Sequence, residues 1–153
     1  MLKDIVKEVF ARDLDKLVQE IELYPHNETL WTKLPGTTNP GGNLVLHICG
    51  NLNHFVGAQL GGTGYVRQRE REFTDTGYSQ DDLVAKVKFT AHMIEDVLEE
   101  MGEKDLAKTY PLEVLGKSTT TGFFLTHLAV HLNYHLGQIN YHRRLVSTTQ
   151  EKQ

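Results

Sequence analysis

Apolar residues recur at steps of three and four through Leu2, Ile5, Val6, Val9, Phe10, Leu14, Leu17, Val18 and Ile21. That period predicts an amphipathic helix over residues 2–23, ended by Pro25. Residues 24–42 hold three of the four prolines and read as a structured loop, with Trp31 as an apolar plug onto the rest. A second helix is expected from about Asn43 to Leu60, stopped by Gly61-Gly62. Residues 61–78 form another loop carrying Arg67, Arg69, Glu70, Arg71 and Glu72. Ser79 then caps a third helix, with Asp82 as the acid of a capping box. Leu83, Val84, Val87, Ile94, Val97, Leu98 and Met101 carry the period on to Gly102. Residues 103–118 connect, and Ser118 or a neighbouring threonine caps a fourth helix from about Thr121 to Val146. No segment alternates with period two. Four helices of roughly 20 residues, about 30 Å each, make an all-α four-helix bundle: one domain over 1–146 with a frayed tail at 147–153. The long loops between helices one, two and three exceed what such a bundle needs, and loops of that kind cover or build something.

Charge narrows the function classes. With 16 basic and 20 acidic residues the formal charge is −4, which leaves no basic footprint for nucleic acid or for an anionic membrane. The single cysteine, Cys49, excludes an intrachain disulfide and a CxxC site, and points to a reducing, cytoplasmic compartment. The opening MLKDIVKEVF is dotted with charges and lacks the apolar run of a signal peptide, and no stretch is expected to span a bilayer. The unusual count is eight histidines.

On a helical wheel of roughly 100° per residue, with His127 at zero, His131, His142 and His135 fall near 40°, 60° and 80° and Gln138 near 20°. Asn133, Asn140 and Arg144 cluster opposite, near 220–260°, and mark the solvated face. The fourth helix therefore aims imidazoles into the bundle. Helix two repeats this: with His47 at zero, Asn51 lies near 40° and His54 near −20°. A lone inward histidine is more often a core residue bonded to a carbonyl. Two helices each burying imidazoles are harder to explain so, because unpaired buried polar groups cost a few kcal/mol, on the order of one hydrogen bond or more each.

His131 and His135 stand four apart, about 6 Å between Cβ atoms on a helix, close enough to reach one ion. His47 is the first candidate for a third ligand, and His54 could replace it or join as a fourth. Three neutral imidazoles suit zinc, nickel, iron or copper rather than magnesium or calcium, and three protein ligands leave a position open for water or substrate. Asn51, His54, His127, Tyr134 and Gln138 are then candidates for orienting the ligand rings or binding substrate. Arg67, Arg69 and Arg71 could clamp an acidic group. Alternatively they form solvated loop pairs with Glu70, Glu72 and Asp75, each worth little. Cys49 lies about 200° from His47 and reads as inert. Glu95, Asp96, Glu99 and Glu100 read as an exposed face, and His26 and His92 as ordinary.

The run His131-Leu-Asn-Tyr-His135-Leu-Gly137-Gln138 resembles the HxxxHxGQ signature of the DinB-like four-helix-bundle superfamily, which includes transferases and isomerases that work with bacillithiol or mycothiol. His47, in Asn43-Leu-Val-Leu-His47, falls where that superfamily supplies its third histidine, and the resemblance covers nearly the whole chain. It implies His47, His131 and His135 as metal ligands and transfer of a low-molecular-weight thiol to a small electrophile; from the ligand set, zinc or nickel is expected before iron as the ion. Metal-dependent hydrolysis and a non-catalytic metal- or ligand-binding bundle are the alternatives. No acidic residue matches a family base; Glu70 and Glu72 approach the metal only if the loop after helix two folds back. The expected partners are a small-molecule substrate and a second copy of the chain.

Overall fold

The computed structural model describes residues 1–150. Its helices are α1 (Leu2–Glu22), α2 (Gly41–Leu52), α3 (Gln59–Gly61), α4 (Arg69–Thr74), α5 (Gln80–Glu100), α6 (Glu103–Ala107) and α7 (Thr121–Gln150). A 3-10 turn spans Asn27–Trp31, and a π-helical segment, Asn53–Ala58, joins α2 to α3 in one rod. No strand occurs among the described residues; Thr109 and Thr120 form an isolated antiparallel bridge. The fold is an all-α four-helix bundle in which α1 packs on α5 and α7, and the α2 rod packs on α5 and α7. Its core is built from the expected stripes: Phe10, Leu14, Leu17 and Ile21 of α1 meet Leu83, Ile94 and Leu98 of α5, Ile48 and Leu52 of α2, and Phe124 and Leu125 of α7.

Helix boundaries follow local chemistry. Ser79 Oγ accepts from the Asp82 amide while the Asp82 carboxylate accepts from the Ser79 amide, so the capping box forms as expected. Thr120 caps α7, its hydroxyl accepting from the Phe123 amide. The second helix begins at Gly41 rather than Asn43 because Pro40 already holds the extended N-cap conformation, and Trp31 packs on Gly42. Helix four does not stop at Val146 but runs to Gln150; residues 147–150, expected to fray, are helical, and the last of that tail lies outside the described residues. The loops are not bare either. α4 and α6 are short helices within segments read as irregular, too short for their periods to register.

Asn133 and Arg144 are exposed and Asn140 half-buried, as the wheel assigned, but the two asparagines also reach across to α1. Asn133 Nδ2 donates to the fully buried Asp13 at 3.0 Å. Asn140 Nδ2 and Arg143 Nε hold the two carboxylate oxygens of Glu20 at 2.6 and 2.5 Å. These pairs fix the register of α1 against α7, and α7 carries His131 and His135.

Candidate metal centre

Antiparallel packing of α2 on α7 brings His47 between His131 and His135. The Nε2 atoms of His47 and His131 are 3.4 Å apart, and those of His131 and His135 3.1 Å apart. Each of the three offers one ring nitrogen within 4.8 Å of the others, and among the described residues they are the group able to hold a metal ion. Ligand atoms of a tetrahedral ion on ~2.0–2.1 Å bonds stand about 3.3 Å apart, so the spacing fits. The donor chemistry fits as well. Burial and the neighbouring His135 and His47 rings push His131 down to about 4, and burial lowers His135, so both are neutral at pH 7 with a lone pair available. Asn51, one turn beyond His47 on the same face of α2, is buried with an Oδ1 that has no hydrogen-bond partner. A buried acceptor left without a donor one turn from His47 is an exception that the fold itself does not satisfy.

The segment after α3 does fold back. α4 docks on α2 through Asn43, whose Nδ2 donates to the Glu72 and Asp75 carbonyls at 3.1 and 2.9 Å. This places the buried Glu72 carboxylate 2.9 Å from His47 Nδ1. Arg67 grips the same carboxylate with two bonds of 2.8 Å. Burial alone would raise the Glu72 pKa, but the bonds from Arg67 and His47 outweigh it and hold it below the usual range. An anionic Glu72 makes His47 donate from Nδ1, which leaves Nε2 as the free ligand atom. Gly50 makes room for this: a Cβ there would lie 2.0 Å from Glu72 Oε2. On the opposite side, Gln138 Oε1 accepts from His135 Nδ1 at 2.7 Å and likewise directs Nε2 inward. Tyr134 follows, its hydroxyl 3.4 Å from Gln138 Nε2.

Other expected site residues are placed differently. His54 lies outside the group of three, its ring against Phe55 at 4.7 Å. It falls in the π-helical segment, where the wider turn breaks the step assumed by the wheel. His127 stacks between Phe124 and His131 at 5.7 and 6.4 Å. Arg67 is neither a free clamp nor a solvated loop charge, being committed to Glu72. Arg69 sits over the Phe73 ring at 5.4 Å, and Arg71 pairs with Asp75. His142 is the structural histidine of the set: Tyr24 Oη lies 2.7 Å from its Nδ1, and its Nε2 donates to the Thr32 carbonyl at 2.7 Å. Cys49 is buried, its thiol pushed up to about 11 by burial, and is inert as expected. Glu72 is the residue the sequence reading undervalued; its signal was a buried-type glycine in α2, which is legible only once a partner is known.

A pocket of about 530 Å³ opens beside the ligands, between loop residues Leu34–Asn39 and the Tyr134, His135, Gln138 and Tyr141 side of α7. That volume suits a small molecule, and His135 is the ligand that reaches it. No helix among the described residues is long and apolar enough to cross a membrane.

The family model for proteins of unknown function DUF1572 matches residues 4–153. Among solved structures, a DinB-like protein from Bacillus cereus ATCC 10987 aligns with a TM-score of 0.71 at 18% identity, covering 88% of this chain and 86% of its own. A conserved protein from Enterococcus faecalis aligns at 0.76 and 13% identity, covering 95% and 96%. A DinB-like protein from Bacillus subtilis aligns at 0.67 and 18%, covering 93% and 91%. No curated protein matches the chain.

Proposed function

Since the chain belongs to the DUF1572 family and has the fold of DinB-like proteins, we propose that it is a metal-dependent enzyme acting on a small molecule in the pocket beside His135. The observation that carries this is the convergence of three imidazole Nε2 atoms, two of them directed there by Glu72 and Gln138. His47, His131 and His135 would hold a divalent ion, zinc or nickel before iron. Such an ion supplies Lewis acidity, which favours the deprotonated form of a thiol or water at neutral pH.

The chain's own groups then divide the remaining work. Glu72 is not a proton acceptor for substrate, because His47 and Arg67 occupy both its oxygens. It orients His47 and offsets the Arg67 charge that would otherwise oppose a cation. Tyr134 and Gln138 border both the ligands and the pocket and can hold substrate through the hydroxyl and amide. The resemblance to DinB-like proteins favours transfer of a low-molecular-weight thiol to an electrophile as the reaction, ahead of hydrolysis. A reducing cytoplasm, where such thiols stay reduced, is the matching compartment.

The test is elemental mass spectrometry of tag-free protein beside the His131→Ala variant, followed by a screen of electrophiles with bacillithiol-type thiols. Near-stoichiometric metal that the variant loses, with turnover that a chelator abolishes, is the expected result. Absence of metal after reconstitution with zinc, nickel and iron would end the proposal. Metal without thiol-dependent turnover would remove the transferase step and leave hydrolysis to be assayed.

A further inference from the structure

α7 turns a second apolar stripe outward. Phe123, Val130, Tyr134, Tyr141 and Leu145 are each 52–65% exposed, and their spacing of seven and four places them within about 60° of one another on the helix. The stripe runs roughly 33 Å. The charged side chain nearest to it is Arg144, at the edge, lying over the Tyr141 ring at 5.4 Å. Gly137 interrupts it midway, and a Cβ there would meet nothing within 4 Å. A bare backbone at the centre of a long apolar face is suited to close crossing by another helix.

We propose that this face is the interface of a homodimer, α7 against α7 in antiparallel fashion, crossing at Gly137. The pattern is self-complementary about that point. Tyr134 falls opposite Tyr141 of the partner subunit, and Val130 opposite Leu145 of the partner subunit, as a two-fold interface requires. Large aromatic and aliphatic side chains at these exposures offer about 550 Å² per chain. Two copies together bury roughly 1,100 Å², above the approximately 1,000 Å² of a specific contact. Along the stripe itself no Lys, Arg, Asp or Glu occurs, and Lys117 over Phe123 and Arg144 over Tyr141 stand at its rim, the composition of an interface core. Its basic neighbours are one lysine and one arginine, each lying over an aromatic ring at the rim, not the run of lysines and arginines that lines a membrane-surface helix.

The dimer bears on the site. Tyr134, Tyr141 and Leu145 belong both to this stripe and to the lining of the pocket beside His135, so the second copy walls the pocket's outer side. This consequence rests on the metal-site reading; the interface itself does not.

Sedimentation velocity on tag-free protein, with and without chelator, tests the interface. The wild type is expected to sediment as a dimer. Gly137→Arg, whose side chain enters open space in the monomer and improves helix propensity, is expected to keep its helical circular dichroism and halve the apparent mass. Val130→Lys should do the same, while Glu95→Lys on the exposed face of α5 should remain dimeric. A monomeric wild type, a dimeric and folded Gly137→Arg, or binding of monomer to anionic vesicles would each overturn the interface. A dimer that persists in protein unable to take up metal would leave the interface standing and the proposed function failed.

Discussion

Replacing Glu72 with glutamine isolates what the carboxylate does for the metal centre. The side chain is 7% exposed and makes three bonds of 2.8–2.9 Å, one to His47 Nδ1 and two to Arg67. Glutamine keeps the shape but removes the charge. Arg67, whose Nη2 stands 3.4 Å from His47 Nδ1, then becomes an uncompensated cation beside the ligand. Breaking a buried ion pair costs about 3 kcal/mol, which for a domain of this size lowers Tm by roughly 10 °C. Loss of a partner that orients a ligating histidine weakens metal binding by about 10–100-fold. Competition titration of zinc against a chromophoric chelator reads this directly, at a temperature where circular dichroism shows the variant folded. Gly50→Ala approaches the same carboxylate from behind, and should weaken metal binding without removing any charged group. If folded Glu72→Gln binds zinc as tightly as the parent, Glu72 does not set the His47 tautomer, and the role given to the α4 segment is wrong.

Two further outcomes follow from individual atoms. Asn43→Ala loses both bonds that dock α4 and should cost about 2 kcal/mol. Asn51→Ala removes an acceptor that has no partner, so thermal melts of metal-free protein should differ from wild type by less than about 0.5 kcal/mol; equal losses in the two variants would show that Asn51 is satisfied. Metal-free protein should also lose stability in acid. His131, His135 and His142 are all lowered by burial, so the unfolded chain takes up protons first. Stability is full above the ordinary histidine value of about 6.5 and falls as pH drops toward about 4, where His131 titrates. Solvent screening at the half-buried ring limits its share to about 1–2 kcal/mol. A melting temperature flat between pH 7 and pH 5 would contradict this.

The four long helices were legible because each buries one stripe against its neighbours, and period is what a single sequence records best. The histidine triad was legible for a related reason. His131 and His135 share a helix face by spacing alone, and His47 stood out as a polar residue in the middle of an apolar face. What period cannot show is a change of helix type. The π-helical segment at Asn53–Ala58 carries no signature in composition, and it moved His54 out of the set that a uniform wheel had assembled. Nor can spacing show polar pairing between helices: the exposed Asn133 and half-buried Asn140 gave no sign of their partners, Asp13 and Glu20, more than a hundred residues away.

The α4 segment shows why a site can be half visible. Its ligand-side residue, Glu72, lies in a charged stretch that reads as surface, and six residues are too few for a hydrophobic period. Its position is decided instead by α2, where Asn43 supplies two donors to the α4 backbone and Gly50 leaves the volume that the carboxylate fills. Those two residues look unremarkable alone, as a polar residue near a helix start and a glycine in mid-helix. A mid-helix glycine costs about 1 kcal/mol relative to alanine, and here it leaves room for a buried anion held against His47. The same reasoning separates His142 from the triad: both its nitrogens are taken within the fold, whereas the Nε2 atoms of His47, His131 and His135 face only one another. Inward direction identified histidines that the fold must accommodate. Whether the fold itself satisfies them is what distinguishes the structural one from the three that could hold an ion.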